Sequence, residues 1–179
     1  MLVNSKRKPG SRKGKLIRIA EFPIDEILPY IFTRNVRHAL KKLGFNYKSR
    51  EWVMASRKDF IVNINGRKHR ISVSMGSHRY QLFAEKGIVC AGCSLRGEYF
   101  ALERGVKDKP DKFHFNLYGT DKNGVEVMLT KDHVTPRSKG GKNRLSNYQP
   151  LCFRCNQRKA DKVINVKRTG RAVKRANKI

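Results

Sequence analysis

The chain has 179 residues, room for one ordinary domain or two small ones, and sets 41 Lys and Arg against 14 Asp and Glu for a formal net charge of +27. Solubility needs far less charge than this, so the excess points to a polyanionic partner, and nucleic acid leads. No apolar run is long enough to span a bilayer, none near Met1 resembles a secretory signal, and no stripe of Trp, Phe and Leu marks a membrane-surface helix. A membrane partner is therefore set aside and a reducing, cytoplasmic location is expected.

Residues 1–15 carry only basic charge, spaced by Pro, Gly and Ser, and read as a disordered arm. Residues 16–76 read as a small α+β module. Its first part is helical in pattern from Phe22 to Gly44: Ile24, Ile27, Leu28 and Ile31 recur at helical spacing, as do Val36, Leu40 and Leu43. Pro29 and Asn35 interrupt that stretch, with Asn35 as an N-cap and Gly44 as a stop. Strand-like runs follow at residues 50–55, 59–64 and 70–75. In the last two, Phe60, Val62 and Ile64 match Ile71, Val73 and Met75 across Asn65-Gly66, a strong hairpin signal. Trp52 reads as core. Charge suggests DNA binding for this module, but no specific motif does.

Residues 77–162 form the next unit. Ser77 is placed to cap a helix over residues 78–87, which leads into the first cysteine pair. Three strand-like segments, residues 98–103, 113–118 and 125–129, come next, and the turn at residues 121–124 makes the last two a hairpin. The third strand runs into Asp132-His133, and a helix begins at Phe153. Residues 163–179 are a second basic tail.

The four cysteines fall as two pairs, Cys90-x-x-Cys93 and Cys152-x-x-Cys155. Each spacing lets two thiolates share one tetrahedral ion, and four sulfurs leave no open position, so the expected zinc is structural. Four unrelated buried cysteines, or a redox pair, are the alternatives. Asp132 and His133 sit where a strand gives way to a loop. A carboxylate is a hard ligand for Mg²⁺ or Mn²⁺, and a neutral imidazole accepts a proton. Phosphodiester hydrolysis needs both, although an acid beside a histidine in an exposed loop is by itself a commonplace.

The constellation is more specific. "DHVTPRSKGG", "NYQPLC" and "CNQRK" follow one another between and beyond the cysteine pairs, and over roughly residues 88–160 the chain resembles the HNH endonuclease family, in its zinc-bearing branch. The short basic chain with a separate N-terminal module is similar to free-standing phage members. The resemblance implies an α+β chain whose second unit is a ββα-metal fold, clamped by zinc on Cys90, Cys93, Cys152 and Cys155. It implies His133 as general base, Asp132 as a ligand of a catalytic Mg²⁺ or Mn²⁺, Asn147 as the residue that fixes the loop, and Asn156 as a second metal ligand where the motif often has His. Read from the residues alone, Asn156 offers a hard amide oxygen held next to a cysteine of the cluster, with helix capping as the alternative, Asn147 is a turn residue, and Gly140 and Gly141 permit the turn. Lys131, Arg137, Lys139, Lys142, Arg154 and Arg158 surround the site as candidate phosphate contacts. His114 reads as exposed or packed, and His38, His69 and His78 receive no role.

The expected function is a metal-dependent DNA endonuclease that nicks one strand of a duplex per site, leaving a 5′-phosphate and a 3′-hydroxyl. Two alternatives stand beside it: a zinc-stabilised nucleic-acid-binding protein without catalysis, and a nuclease that resolves branched DNA. No oligomeric state follows from the sequence.

Overall fold

The computed structural model describes residues 15–43 and 54–163. The first element is a strand, β1 (Leu16–Pro23). A short helix α1 (Ile24–Ile27), a 3-10 turn (Leu28–Tyr30) and helix α2 (Arg34–Lys42) follow. The helical spacing expected over residues 22–44 is thus divided. Pro29 lies in the 3-10 turn, where it offers no N–H to continue α1. Thr33 precedes α2 as its N-cap residue, so Asn35 lies inside the first turn rather than ahead of it. The basic arm, Gly44, Trp52 and residues 164–179 of the tail lie outside the described residues. So does most of the strand expected at 50–55, of which Met54 and Ala55 are helical.

β2 (Arg57–Ile64) and β3 (Arg67–Ser74) pair as the expected hairpin. Asn65 and Gly66 have φ of 53° and 80°, the left-handed pair that a tight turn of matching twist requires. Phe60, Val62, Val73 and Met75 are buried, as the alternation predicts. Helix α3 (His78–Lys86) is capped by Ser77, whose Oγ accepts the Tyr80 N–H at 3.3 Å.

The remaining elements are β4 (Tyr99–Gly105), β5 (His114–Thr120), β6 (Glu126–His133), β7 (Tyr148–Cys152) and α4 (Phe153–Lys159). With β1 they build an antiparallel five-stranded sheet in the order β1-β4-β5-β6-β7. The α+β class holds. The expected division between residues 76 and 77 is crossed twice. β1 pairs along β4 from Leu16–Gly105 to Pro23–Tyr99. One hydrophobic core also joins Ile27, Phe60, Val62 and Val73 to Phe83, Phe100, Phe115 and Leu129. Phe22, Phe60 and Phe115, one from each of β1, β2 and β5, meet edge to face at 4.9 to 5.6 Å and fix the hairpin on the sheet.

A buried ionic knot fixes β1 as well. Arg18 donates to Glu103 at 2.9 Å and to Glu126 at 2.8 Å, and lies 4.5 Å from the Tyr118 ring centre. Glu103 is fully buried and also accepts from Tyr118 Oη and Asn116 Nδ2. Every oxygen of that carboxylate has a donor, which is the condition for burying it. No described helix is long and apolar enough to cross a membrane.

Candidate active site

The two cysteine pairs converge. Val89 and Arg96 bridge to close the loop that presents Cys90 and Cys93, and the β7–α4 junction presents Cys152 and Cys155. The four sulfurs lie within 4.8 Å of one another, and all four cysteines are free thiols. Among the described residues this is the one cluster of three or more His, Cys, Asp or Glu side chains able to hold an ion. The donor set fits zinc: four sulfurs, with Cys93 Sγ and Cys152 Sγ 3.6 Å apart, close to the edge of a tetrahedron with Zn–S near 2.3 Å. Cys90 Sγ accepts backbone N–H groups from Gly92 at 3.4 Å and Cys152 at 3.2 Å. Burial works to raise the Cys90 thiol, and these donors bring it below its ordinary value, which favours the ligating thiolate.

Asp132 and His133 are the last residues of β6, so their side chains leave opposite faces of the sheet. Asp132 faces α4. Its Oδ2 accepts Gln149 Nε2 at 3.0 Å and pairs with Lys159 Nζ at 3.1 Å. Lys159 is 1 % exposed and also donates to the His133 carbonyl oxygen at 2.7 Å. One ammonium thus holds both residues of the pair. Two residues back on the same face, Thr130 Oγ1 accepts Asn156 Nδ2 at 3.1 Å and donates to the Leu151 carbonyl at 2.8 Å. Asn156 and Lys159 are three apart on α4, so they share its sheet-facing side. Asp132 and Asn156 are thereby brought to one strand–helix seam. With its amide nitrogen on Thr130, Asn156 keeps its oxygen without a donor among the described residues. A carboxylate and an amide oxygen are a donor set that fits Mg²⁺ or Mn²⁺.

His133 lies on the other face. Its Nε2 is 2.8 Å from Asn143 Oδ1, and its ring stands edge-on to Tyr148 at 4.8 Å. An amide oxygen only accepts, so Nε2 carries the proton of the neutral ring and Nδ1 is the basic atom.

The hydrogen bonds of the Asn147 side chain go to loop backbone and not to the His133 ring. This side chain spans the loop: Oδ1 accepts the Thr135 N–H at 2.9 Å, and Nδ2 donates to the carbonyls of Thr135 and Lys142, both at 3.1 Å. The paired glycines serve two needs. Gly140 has φ of 77°. Gly141 has an ordinary φ, but a Cβ there would lie 1.8 Å from the Thr135 carbonyl oxygen. The loop is thus pulled tight against Thr135, which carries Asn143 to the histidine.

The candidate phosphate contacts divide. Arg137, Lys139 and Lys142 are on the loop and open to solvent to differing degrees, and Lys131 lies over the Tyr148 ring at 4.1 Å. Arg154 is ion-paired with Asp121, whose other oxygen accepts the N–H groups of Asn123 and Val125 at 2.9 Å. Arg158 donates to Cys155 Sγ at 3.1 Å. These two arginines serve the β5–β6 turn and the cysteine cluster. They border a surface hollow of about 510 Å³ that contains neither Asp132 nor His133. His114 is half-buried, 3.3 Å from Asn116 Nδ2. His69 is exposed.

Sequence reasoning passes over Lys159, Gln149 and Asn143. A signal exists for two of them. Lys159 follows Asn156 by one helical turn, and Gln149 pairs directly with Asp132 once β6 and β7 are read as neighbours. Asn143 has none, because loop position depends on how Asn147 folds the segment.

Residues 118–162 match the family model described as HNH endonuclease. The match runs from Tyr118, within β5, to just past α4, including Asp132, His133, Asn147, Asn156 and the second cysteine pair, and leaves Cys90 and Cys93 outside it. It covers about a quarter of the chain. No curated protein and no solved structure gives a match.

Proposed function

With residues 118–162 assigned to the HNH endonuclease family, we propose that the protein is a metal-dependent DNA endonuclease whose single site hydrolyses one phosphodiester bond per encounter. The observation that carries this reading is the split of Asp132 and His133 across the end of β6. The carboxylate turns to the seam with Asn156, and the imidazole turns to a surface with its tautomer set by Asn143.

In this reading His133 Nδ1 takes the proton of the attacking water. Asn143 holds the Nε2 proton, and Asn147 holds the loop that carries Asn143. Lys159 fixes the carboxylate and the histidine backbone together, and its hold on Oδ2 leaves Oδ1 of Asp132 for a cation. Asp132 and Asn156 would hold Mg²⁺ or Mn²⁺, which when bound supplies the positive charge that a phosphodiester's phosphoryl and leaving oxygens require. The cysteine cluster, filled by zinc, fixes the start of α4 and so the place of Asn156. Cleavage leaves a 5′-phosphate and a 3′-hydroxyl, and one site cuts one strand. The reading as a binding protein without catalysis is disfavoured by Asn143 and Lys159, whose arrangement around His133 and Asp132 zinc binding does not require.

The test is supercoiled plasmid incubated with zinc-loaded protein, with and without Mg²⁺ or Mn²⁺. Nicked circles that DNA ligase reseals directly support the proposal, because ligase needs a 5′-phosphate beside a 3′-hydroxyl. Preferential cutting of a four-way junction over linear duplex moves the reading to junction resolution. DNA bound but uncut under every metal and substrate would leave a binding protein.

A further inference from the structure

Lys131 and His133 leave the same face of β6, and α3 packs against part of that face. What gathers there is cationic. Tyr148, 1 % exposed, is the pivot: the His133 ring lies 4.8 Å from it, Lys131 Nζ 4.1 Å and the His78 ring 6.0 Å. Beside His78 on α3, Arg79 donates to Asn116 Oδ1 at 2.5 Å. From α2, Arg37 donates to the Gly76 carbonyl just ahead of α3. All four of these basic side chains are half-buried.

Glu85 of α3 acts on Arg37. Among the described residues, no carboxylate forms an ion pair with His78, Arg79 or Lys131. The crowding shows in a titration. Burial, Arg37 and Lys131 push His78 below its ordinary value. Like charges held together in partly desolvated surroundings oppose folding, and neutral side chains of equal size would pack there at less cost. An anion seated on this face relieves that repulsion. The neighbour of the cluster is the histidine that addresses a phosphodiester.

We propose that Arg37, His78, Arg79 and Lys131 form a phosphate-binding face, which holds the nucleic-acid backbone next to the phosphate that His133 addresses. Substrate is then carried by α2 and α3 as well as by the β6–β7 loop, and the N-terminal segment is part of the binding surface. The place of the cleaved phosphate rests on the nuclease reading; the binding of a phosphodiester backbone at the cluster does not.

The test measures binding apart from cleavage. A short fluorescent DNA duplex is titrated against zinc-loaded full-length protein, without added Mg²⁺ or Mn²⁺, at several salt concentrations. The double variant Arg79→Gln/Lys131→Gln is compared with Arg96→Gln/Lys122→Gln, which removes the same charge from exposed positions, one in the loop ahead of β4 and one in the β5–β6 turn. The slope of log Kd against log salt should fall by about two in the first pair, one for each phosphate no longer neutralised, and affinity should fall at least about tenfold. The second pair should change affinity by less than about threefold. Equal weakening in both pairs, or an unchanged slope in the first, would overturn the proposal. Wild-type protein gives a second readout that no folding defect can imitate. The His78 imidazole resonance, followed by NMR, should titrate at higher pH with duplex bound than free, and an unchanged titration contradicts the assignment. Plasmid nicking run in parallel separates the two claims: a binding effect without any cleavage removes the nuclease reading and keeps this one, and cleavage without the binding effect does the reverse.

Discussion

Lys159 and Asp132 form a buried ion pair between α4 and the end of β6, with Nζ 3.1 Å from Oδ2 and the lysine 1 % exposed. A lysine this deep is tolerated only because it is paired, and here it also reaches the carbonyl of His133. Lys159→Met removes both interactions and leaves the Asp132 carboxylate with Gln149. The expected destabilisation is on the order of 3 kcal/mol, read from urea unfolding. Turnover should fall by roughly 10- to 100-fold, with bound zinc unchanged. A stable variant of normal turnover contradicts the role given to this lysine.

Asn143 and Asn147 act on the histidine by different routes, and substitutions should tell them apart. Asn143→Ala frees Nε2 and removes the preference for one tautomer. Turnover should drop roughly tenfold or more while KM and melting temperature hold. Asn147→Ala breaks three hydrogen bonds to the loop backbone, so it should lower turnover and also destabilise by about 1 to 3 kcal/mol. Identical profiles for the two variants would mean that the loop acts as a unit and that Asn143 has no separate role.

The difference between those asparagines marks what sequence can and cannot carry. Local rules place the β2–β3 and β5–β6 hairpins, the Ser77 cap and the pairing of cysteines at two turns, because each depends on residues a few positions apart. Strand β1 has no such signal. Its alternation is weak, and its place is set by Arg18 meeting Glu103, 85 positions away, and by Phe22 meeting Phe60 and Phe115. Proline and the demands of that shared core also divide the helical pattern over residues 22–44. At the site, the motif names Asp132, His133, Asn147 and Asn156, yet Lys159, Gln149 and Asn143 emerge only when β6, β7 and α4 are assembled.

Zinc should be present at one ion per chain, measured by elemental analysis of protein purified without chelator. Cys155→Ser removes one of four sulfurs and should weaken zinc binding and lower the melting temperature, since metal affinity here is folding free energy. Protein that carries no zinc and melts at the same temperature after chelator treatment would rule out the clamp.

Arg18→Met tests whether β1 belongs to the sheet through its ionic knot. Glu103 would stay fully buried without its cation, at a cost of about 3 kcal/mol or more. The double variant Arg18→Met/Glu103→Gln should recover part of that stability. Urea midpoints of the four proteins in the cycle give the coupling, and a value near zero would show that the pair adds nothing.

His78 supplies a pH signature. Burial, then Arg37 and Lys131, hold it below the ordinary value of 6.5, so the unfolded chain takes up a proton before the folded one does. Its contribution to stability is therefore complete above pH 6.5 and is lost as pH falls below it towards the folded-state value. Unfolding midpoints compared at about pH 7.5 and about pH 5.5 should fall more in wild type than in His78→Gln. Equal falls would remove His78 from the account.

The most direct test of the central claim is nicking of supercoiled plasmid in Mg²⁺ or Mn²⁺ by wild type and by His133→Ala, matched for zinc content, fold and DNA affinity. The account predicts metal-dependent nicking by wild type and none above background by the variant. Nicking that survives in a zinc-loaded, DNA-binding His133→Ala protein would contradict it.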